Sequence, residues 1–332
     1  MKLAIVKLSA LGDIVHAMVA LQFIKAARPE LQIDWIVEQA YADILQDNPH
    51  IERILPVNLK AIKNNKRLLW RELRRVKEYS AAGYDHVIDA QGLIKSALVA
   101  RMLSPHCAGF DRHSIREQWA AMFYREKVCC PYDANTIDRN VTVLTRPLGI
   151  QISPQQILAK QPFLFFKPAP AEQAHYFRTD MANILLVIGS TWPSRNYPRE
   201  QFLSVIQRLP ANYLLVWGSE KEQQDATWLA HHGPANMLPR LNLNDLKAAI
   251  AHADLVIGND TGPTHMAWAL NRPSITLFGP TPISRVYQTS INKVLKSPSV
   301  VNPFKLNKND FSITQIPPAD VVKLADSLLI DG

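Results

Sequence analysis

Leu3-Ala4-Ile5-Val6-Lys7-Leu8-Ser9-Ala10-Leu11-Gly12-Asp13-Ile14-Val15-His16 is the stretch on which the fold turns. The apolar run from Leu3 to Leu8 reads as a buried strand, a glycine-containing turn follows, and a helix is expected from near Ile14. Strand, turn and helix in that order open a βαβ unit. The turn lies at the carboxyl end of the strand, where open α/β sheets bind their ligands. Asp13 therefore stands where a carboxylate can do chemistry. The position suits a cap equally well, because an aspartate in a first turn accepts from free backbone amides and favours the helix dipole.

Working outward, six further apolar runs alternate with amphipathic stretches of helical length: Ile33 to Val37, His86 to Asp89, Ile184 to Ile188, Tyr213 to Trp217, Leu255 to Ile257 and Ile275 to Phe278. Such alternation predicts an α/β protein with parallel sheets. Between the two series lies Gly149 to Pro170, with Pro154, Pro162, Pro168 and Pro170, too proline-rich for a regular element and expected to be an interdomain linker. The predicted organisation is a Rossmann-like domain over residues 1–160, a second over 171–312, and a carboxyl-terminal segment, 313–332. In that last segment Pro317-Pro318 starts a helix able to pack back on the amino-terminal domain. No internal sequence repeat or low-complexity run is seen.

The composition narrows the class further. A chain of 332 residues, 47% hydrophobic, buries a large core that chains of this size usually divide between two domains. Cys107, Cys129 and Cys130 are an odd set without metal-ligand spacing, which fits a reducing, cytoplasmic setting. Lys7 and Asp13 interrupt the opening apolar run before a signal sequence can complete. No stretch is long enough to span a bilayer, so membrane contact is expected to be peripheral. Lys and Arg outnumber Asp and Glu by 37 to 29, a net charge of +8 that favours anionic partners. Nucleic acid is not expected, because aromatic and basic residues do not interleave.

Four other stretches carry candidate chemistry. In Asp254-Leu255-Val256-Ile257-Gly258-Asn259-Asp260-Thr261-Gly262-Pro263-Thr264-His265 a strand again meets a turn and a helix. Thr261, Gly262 and the helix amides can cradle a diphosphate, with Thr264 and His265 as further donors; a turn and cap is the structural alternative. Trp217-Gly218-Ser219-Glu220-Lys221-Glu222 offers an acid for ribose hydroxyls, or ordinary helix surface charge. Gly189-Ser190-Thr191-Trp192-Pro193-Ser194-Arg195 combines hydroxyls with a guanidinium suited to a departing diphosphate. Lys60, Lys63, Lys66, Arg67, Arg71, Arg74 and Arg75, rimmed by Leu68, Leu69 and Trp70, can meet lipid phosphates or acidic sugars, part of the run being a solvated helix face. Zinc spacing, a Walker loop and G-x-G-x-x-G are missing, which weakens metal hydrolase, ATPase and dehydrogenase readings.

Taken in order, Ser9 to His16, Asp89-Ala90-Gln91-Gly92-Leu93-Ile94-Lys95-Ser96 and Asn259 to His265 resemble the bacterial lipopolysaccharide heptosyltransferase family, with its heptosyltransferase I members nearest. The likeness runs over nearly the whole chain and includes Asp34 to Glu38, Phe123-Tyr124 and Phe278-Gly279-Pro280-Thr281. It implies two Rossmann-like domains facing a cleft, the GT-B fold, with ADP-heptose as donor and Kdo-bearing lipid A as acceptor. It also implies a cytoplasmic enzyme that meets the inner membrane peripherally, needing no metal, cofactor or obligate protein partner. By the same resemblance Asp13 is the base. Ser190, Thr191, Arg195, Glu222, Asp260, Thr261, Gly262 and His265 bind the donor. Arg116 and Arg139 match acceptor-side arginines, and Lys60, Lys63, Lys66 and Arg67 join them on the acceptor side. Arg195, before Asn196-Tyr197-Pro198, replaces a lysine that many members carry two residues before a Trp-Pro pair, which keeps the charge and changes its reach. The expected reaction is a single inverting displacement, with hinge closure through the linker; a second heptose transfer, onto heptose, and a sugar-nucleotide epimerase are the rival readings.

Overall fold

The structure is a computed structural model and describes residues 1–168 and 171–330. The chain divides into two compact units, Met1–Phe165 and Phe166–Gly332. In the first, the described elements are β1 (Lys2–Val6), α1 (Leu11–Met18), α2 (Ala20–Ala27), β2 (Gln32–Glu38), β3 (Arg53–Val57), α3 (Leu68–Ser80), β4 (His86–Asp89), α4 (Ile94–Leu103), β5 (Cys107–Phe110), β6 (Glu126–Val128), α5 (Thr136–Thr145) and α6 (Pro154–Leu158). In the second they are α7 (Ala171–Ala174), β7 (Asn183–Val187), α8 (Arg199–Arg208), β8 (Asn212–Val216), α9 (Glu220–His232), β9 (Ala235–Met237), α10 (Leu243–His252), β10 (Leu255–Asn259), α11 (Gly262–Ala269), β11 (Ser274–Phe278), β12 (Asn292–Lys296) and α12 (Pro318–Ile330).

Each unit is built on one six-stranded sheet, ordered β3-β2-β1-β4-β5-β6 in the first and β12-β11-β10-β7-β8-β9 in the second. Every strand pairing is parallel. Counted from its own first strand, each sheet runs 3-2-1-4-5-6, the doubly wound Rossmann order. The α/β, two-domain GT-B class expected from the sequence is thus met by a repeat of topology that leaves no repeat in sequence. The order reverses between β1 and β4 in one sheet and between β7 and β10 in the other, and a doubly wound sheet opens its ligand crevice at that reversal.

The seven apolar runs read from the sequence all form strands, because strands covered on both faces by helices are apolar throughout. Leu3 to Val6 and Leu255 to Ile257 are fully buried. Five strands carry no such signal. Four of these, β3, β6, β9 and β12, are the edges of the two sheets, half-exposed and interrupted by Arg53, Lys127, Asn236 and Lys293. The fifth, β5, is internal but reads Cys-Ala-Gly-Phe, since a Cβ on Gly109 would lie 2.6 Å from the Tyr124 ring packed on it.

One expectation needs correction. The linker is not free of regular structure: Ser153 caps α6, accepting from the Gln156 amide at 3.3 Å while the Gln156 side chain accepts from the Ser153 amide at 2.9 Å, and Pro154 occupies the first helical turn, where its missing N–H costs nothing. Pro170, in the same stretch, lies outside the described residues, as do Asp331 and Gly332 at the end of the tail. The carboxyl-terminal helix starts at Pro318 as read, and its Val321, Ala325 and Leu328 enter the core of the second unit with Phe202 and Val205 of α8.

Candidate functional site

In the first unit the loops after β1 and β4 are stitched together at the reversal. The Gln91 side chain oxygen accepts from the amides of Leu8 (3.1 Å) and Ser9 (3.0 Å). Lys7, 5% exposed, crosses the other way, its ammonium donating to the Ala90 carbonyl (2.8 Å) and to Asn140 of α5 (3.1 Å). Burial lowers the Lys7 pKa, against the opposing charges of Asp13 and Asp89. Asp89 is buried beneath the loop, where burial raises its carboxyl above the ordinary value although Tyr124, Ser96 and the Gln91 and Gly92 amides all donate to it.

On this support stands Asp13. The helix begins at Leu11, earlier than expected, so Asp13 is in its first turn and accepts from the Ala10 amide at 3.2 Å. The cap is therefore real, and it occupies one carboxylate oxygen of a half-buried side chain. Capping fixes the rotamer of the group without using up its other lone pairs.

The second unit meets its reversal with charge. Asp260, 1% exposed, receives His265 Nε2 at 3.0 Å, the Thr281 hydroxyl at 2.7 Å and the Arg195 guanidinium at 3.1 Å. Burial alone pushes this carboxyl up; the His265 hydrogen bond and the charges of Arg195, Arg285 and His265 overcome it and hold the carboxyl well below the usual carboxylate range. Arg195 also lies over the Trp192 ring, 5.4 Å from its centroid. Asn259 ties the two loops, accepting from the Tyr197 amide and donating to the Ile188 carbonyl, both at 2.9 Å.

Thr261 and Gly262 begin α11, with Thr261 as an N-cap whose side chain makes no cap bond. Thr264 does not share that setting: it is 1% exposed and faces Gly258, where a Cβ would stand 2.5 Å from its hydroxyl, so it belongs to helix-on-strand packing rather than to a phosphate cradle. Ser190 and Thr191 lie in the loop after β7, partly and fully exposed. Glu222 is the capping acid of α9, taking the amides of Gly218 (2.7 Å) and Ser219 (3.1 Å). It presses so closely on Gly189 that a Cβ there would come within 2.0 Å of its carboxylate. That contact joins the loop after β7 to the one after β8.

The expected acceptor-side cations are scattered in character. Lys60 is held by the Tyr41 hydroxyl at 2.8 Å, Arg116 is exposed beside Glu117 at 3.8 Å, and Lys63, Lys66 and Arg67 are exposed. Arg139 is committed to the scaffold, donating to the Tyr132 and Ser114 carbonyls with its guanidinium over Phe110 and Tyr132. Of the basic run, Arg71 and Arg75 converge on buried Glu72, and Arg74 pairs with Glu78. These three form the ordinary helix face and are not available as a phosphate patch. Among the described residues no group of three His, Cys, Asp or Glu is placed to hold a metal ion, and no helix is long and apolar enough to cross a membrane.

Sequence reading gave no role to Lys7, Gln91, Asn259 or Thr281. The signal available was a polar side chain at or just past the end of a buried strand, which must find a partner inside.

The profile of glycosyltransferase family 9 (heptosyltransferase) matches residues 68–302. The chain is 34% identical to lipopolysaccharide heptosyltransferase 1 of Campylobacter coli, with both chains covered over their full length. It is 32% identical to lipopolysaccharide heptosyltransferase 1 of Pseudomonas aeruginosa over 85% of this chain and 79% of that one. Among solved structures, E. coli heptosyltransferase WaaC with ADP-2-deoxy-2-fluoro heptose superposes with a TM-score of 0.80 at 25% identity, covering 98% of this chain and 99% of that one. With a family match over residues 68–302 and a relative 34% identical along its full length, the chain belongs to glycosyltransferase family 9, the heptosyltransferases.

Proposed function

We propose that this enzyme moves an L-glycero-D-manno-heptose from ADP-heptose to a Kdo residue of Kdo-lipid A, with inversion and without a metal ion, at the cytoplasmic face of the inner membrane. The observation that most supports this reading is the buried Arg195–Asp260–His265 cluster at the reversal of the second sheet. It holds a cation beside the amino end of α11, and a preformed cation next to free helix amides suits the negative charge that grows on a departing diphosphate. The names of the 34% and 32% identical relatives support the first heptose transfer over the second.

In this mechanism Asp13 accepts the proton of the acceptor hydroxyl as its oxygen attacks the anomeric carbon, and ADP leaves from the opposite face of a sugar with oxocarbenium character. Asp260 acts through its neighbours, orienting Arg195 and His265, since both of its oxygens are already engaged. Arg195, the Thr261-Gly262 turn and the hydroxyls of Ser190 and Thr191 receive the diphosphate; Glu222 receives the nucleoside. Lys60, Arg67 and Arg116 offer the acceptor sugar its counter-charges, with Lys63 and Lys66 serving the lipid side. Arg139 contributes by holding the loops at Ser114 and Tyr132.

The test is ADP release from ADP-heptose, with and without Kdo-lipid A, in the presence of a chelator. Release that requires the acceptor and ignores the chelator is expected. Acceptor-independent release, or none with any Kdo acceptor, would refute the proposed substrate pair.

A further inference from the structure

Helices α3 and α4 pack side by side in the first unit and leave between them a channel of about 480 Å³. Its floor is hydrocarbon, including Val76 and Val99, and its lips are Leu69 and Leu98, 41% and 45% exposed. The lone carboxylate in the lining, Glu72, is neutralised by Arg71 and Arg75 and by the Asn58 amide at 2.8 Å. Three lysines also line it: Lys95 lies 3.9 Å from Glu38, and Lys63 and Lys66 are exposed and in no ion pair among the described residues. Other exposed apolar side chains are Trp70 (77%) on α3 and Trp119 and Met122 (71% each) on the short helical turn packed against α4.

We infer that this channel seats one hydrocarbon chain of an anionic membrane phospholipid, with Lys63 and Lys66 on its phosphate and Trp70 in the headgroup layer. An apolar trough lined also by exposed, unpaired lysines is complementary to an amphiphile with an anionic head, and an exposed tryptophan on α3 suits the membrane interface. The net charge of +8 adds long-range attraction to an anionic surface. The inference rests on the membrane-side acceptor proposed above and adds where and how the enzyme meets the lipid.

The experiment is sedimentation of the full chain with phosphatidylglycerol vesicles and with phosphatidylcholine vesicles, in the absence of donor. Preferential binding to phosphatidylglycerol is expected, weakened roughly fivefold for each lysine removed in Lys63→Gln and Lys66→Gln. Leu69→Glu/Leu98→Glu should abolish it, and brominated acyl chains should quench a fluorescence component lost in Trp70→Phe. Equal binding to both lipids, or wild-type binding by the glutamine pair or by the glutamate pair with native circular dichroism, would overturn the seat. Transfer to a soluble deacylated Kdo acceptor by an enzyme that ignores vesicles would remove this inference alone; vesicle binding without any transfer would remove the substrate reading alone.

Discussion

In the first unit the backbone of the turn after β1 is held by a neutral group, the Gln91 amide oxygen, which takes the Leu8 and Ser9 N–H donors, while the Lys7 ammonium reaches across to the Ala90 carbonyl and Asp13 follows half-buried. In the second the loop after β10 is pinned by charge, with Asp260 sealed from solvent among Arg195, His265 and Thr281. One topology thus supports two kinds of carboxylate. Asp13 has one oxygen in the cap and the other in no hydrogen bond to the scaffold among the described residues, whereas Asp260 is held well below the usual carboxylate range by its partners and serves as a fixed counter-ion. The lesson is that a carboxylate at the carboxyl end of a Rossmann strand takes its role from what the neighbouring loop offers it.

The contrast can be broken most directly at Asp13. Asp13→Asn retains an oxygen for the Ala10 amide, so the fold and ADP affinity should survive while kcat falls by about 10²–10⁴-fold, the usual contribution of a general base. Steady-state ADP release with a parallel ADP titration checks this; near-normal kcat would leave Asp13 as a cap alone.

Next in size is Asp260→Asn, which strands Arg195 as a buried cation without its anion. A loss of roughly 3–5 kcal/mol is expected, read as a lower melting temperature. The sign of its pH dependence follows from the depressed carboxyl pKa: the stabilisation by Asp260 is complete above the unfolded value of about 4 and is lost as pH falls below it. The difference in stability between wild type and Asp260→Asn should therefore narrow in acid, and a constant difference would show that charge is not what Asp260 supplies.

Gln91→Leu probes the neutral counterpart. Two backbone amides lose their acceptor, at about 1–3 kcal/mol each if they stay buried. Its stability defect should stay flat as pH falls from neutral to below about 4, where that of Asp260→Asn narrows; a defect that changes with pH over that range would erase the distinction between the two loops. The smallest effect belongs to Gly189→Ala, whose methyl displaces the Glu222 side chain and forfeits its cap, at about 1 kcal/mol. ADP affinity should fall in step, and the double change with Glu222→Ala should be no worse than Glu222→Ala alone, which a thermodynamic cycle would read directly.

Much of this arrangement was legible in the chain. The central strands announced themselves because burial on both faces demands unbroken apolar runs, and the loops of Asp13, Arg195 and Asp260 followed from where those strands end. The edge strands β3, β6, β9 and β12 did not, because a strand with a single neighbour and one wet side tolerates Arg53, Lys127 or Lys293. Nor did β5, whose small residues answer to the Tyr124 ring and not to strand propensity.

By itself, then, the sequence determined the class of fold, the family and the loops in which the polar chemistry lies, since these depend on local periodicity and on motifs of contiguous residues. The tertiary structure alone decided which polar groups are spent and which are free. Arg139 is used inside the scaffold, Thr264 is buried against Gly258, Asp260 is paired with partners from two other loops, and Lys63 and Lys66 are left facing solvent beside an apolar channel. The physical reason is that the state of a buried charge is set by the partners packed around it in three dimensions, and those partners come from segments far away in the chain.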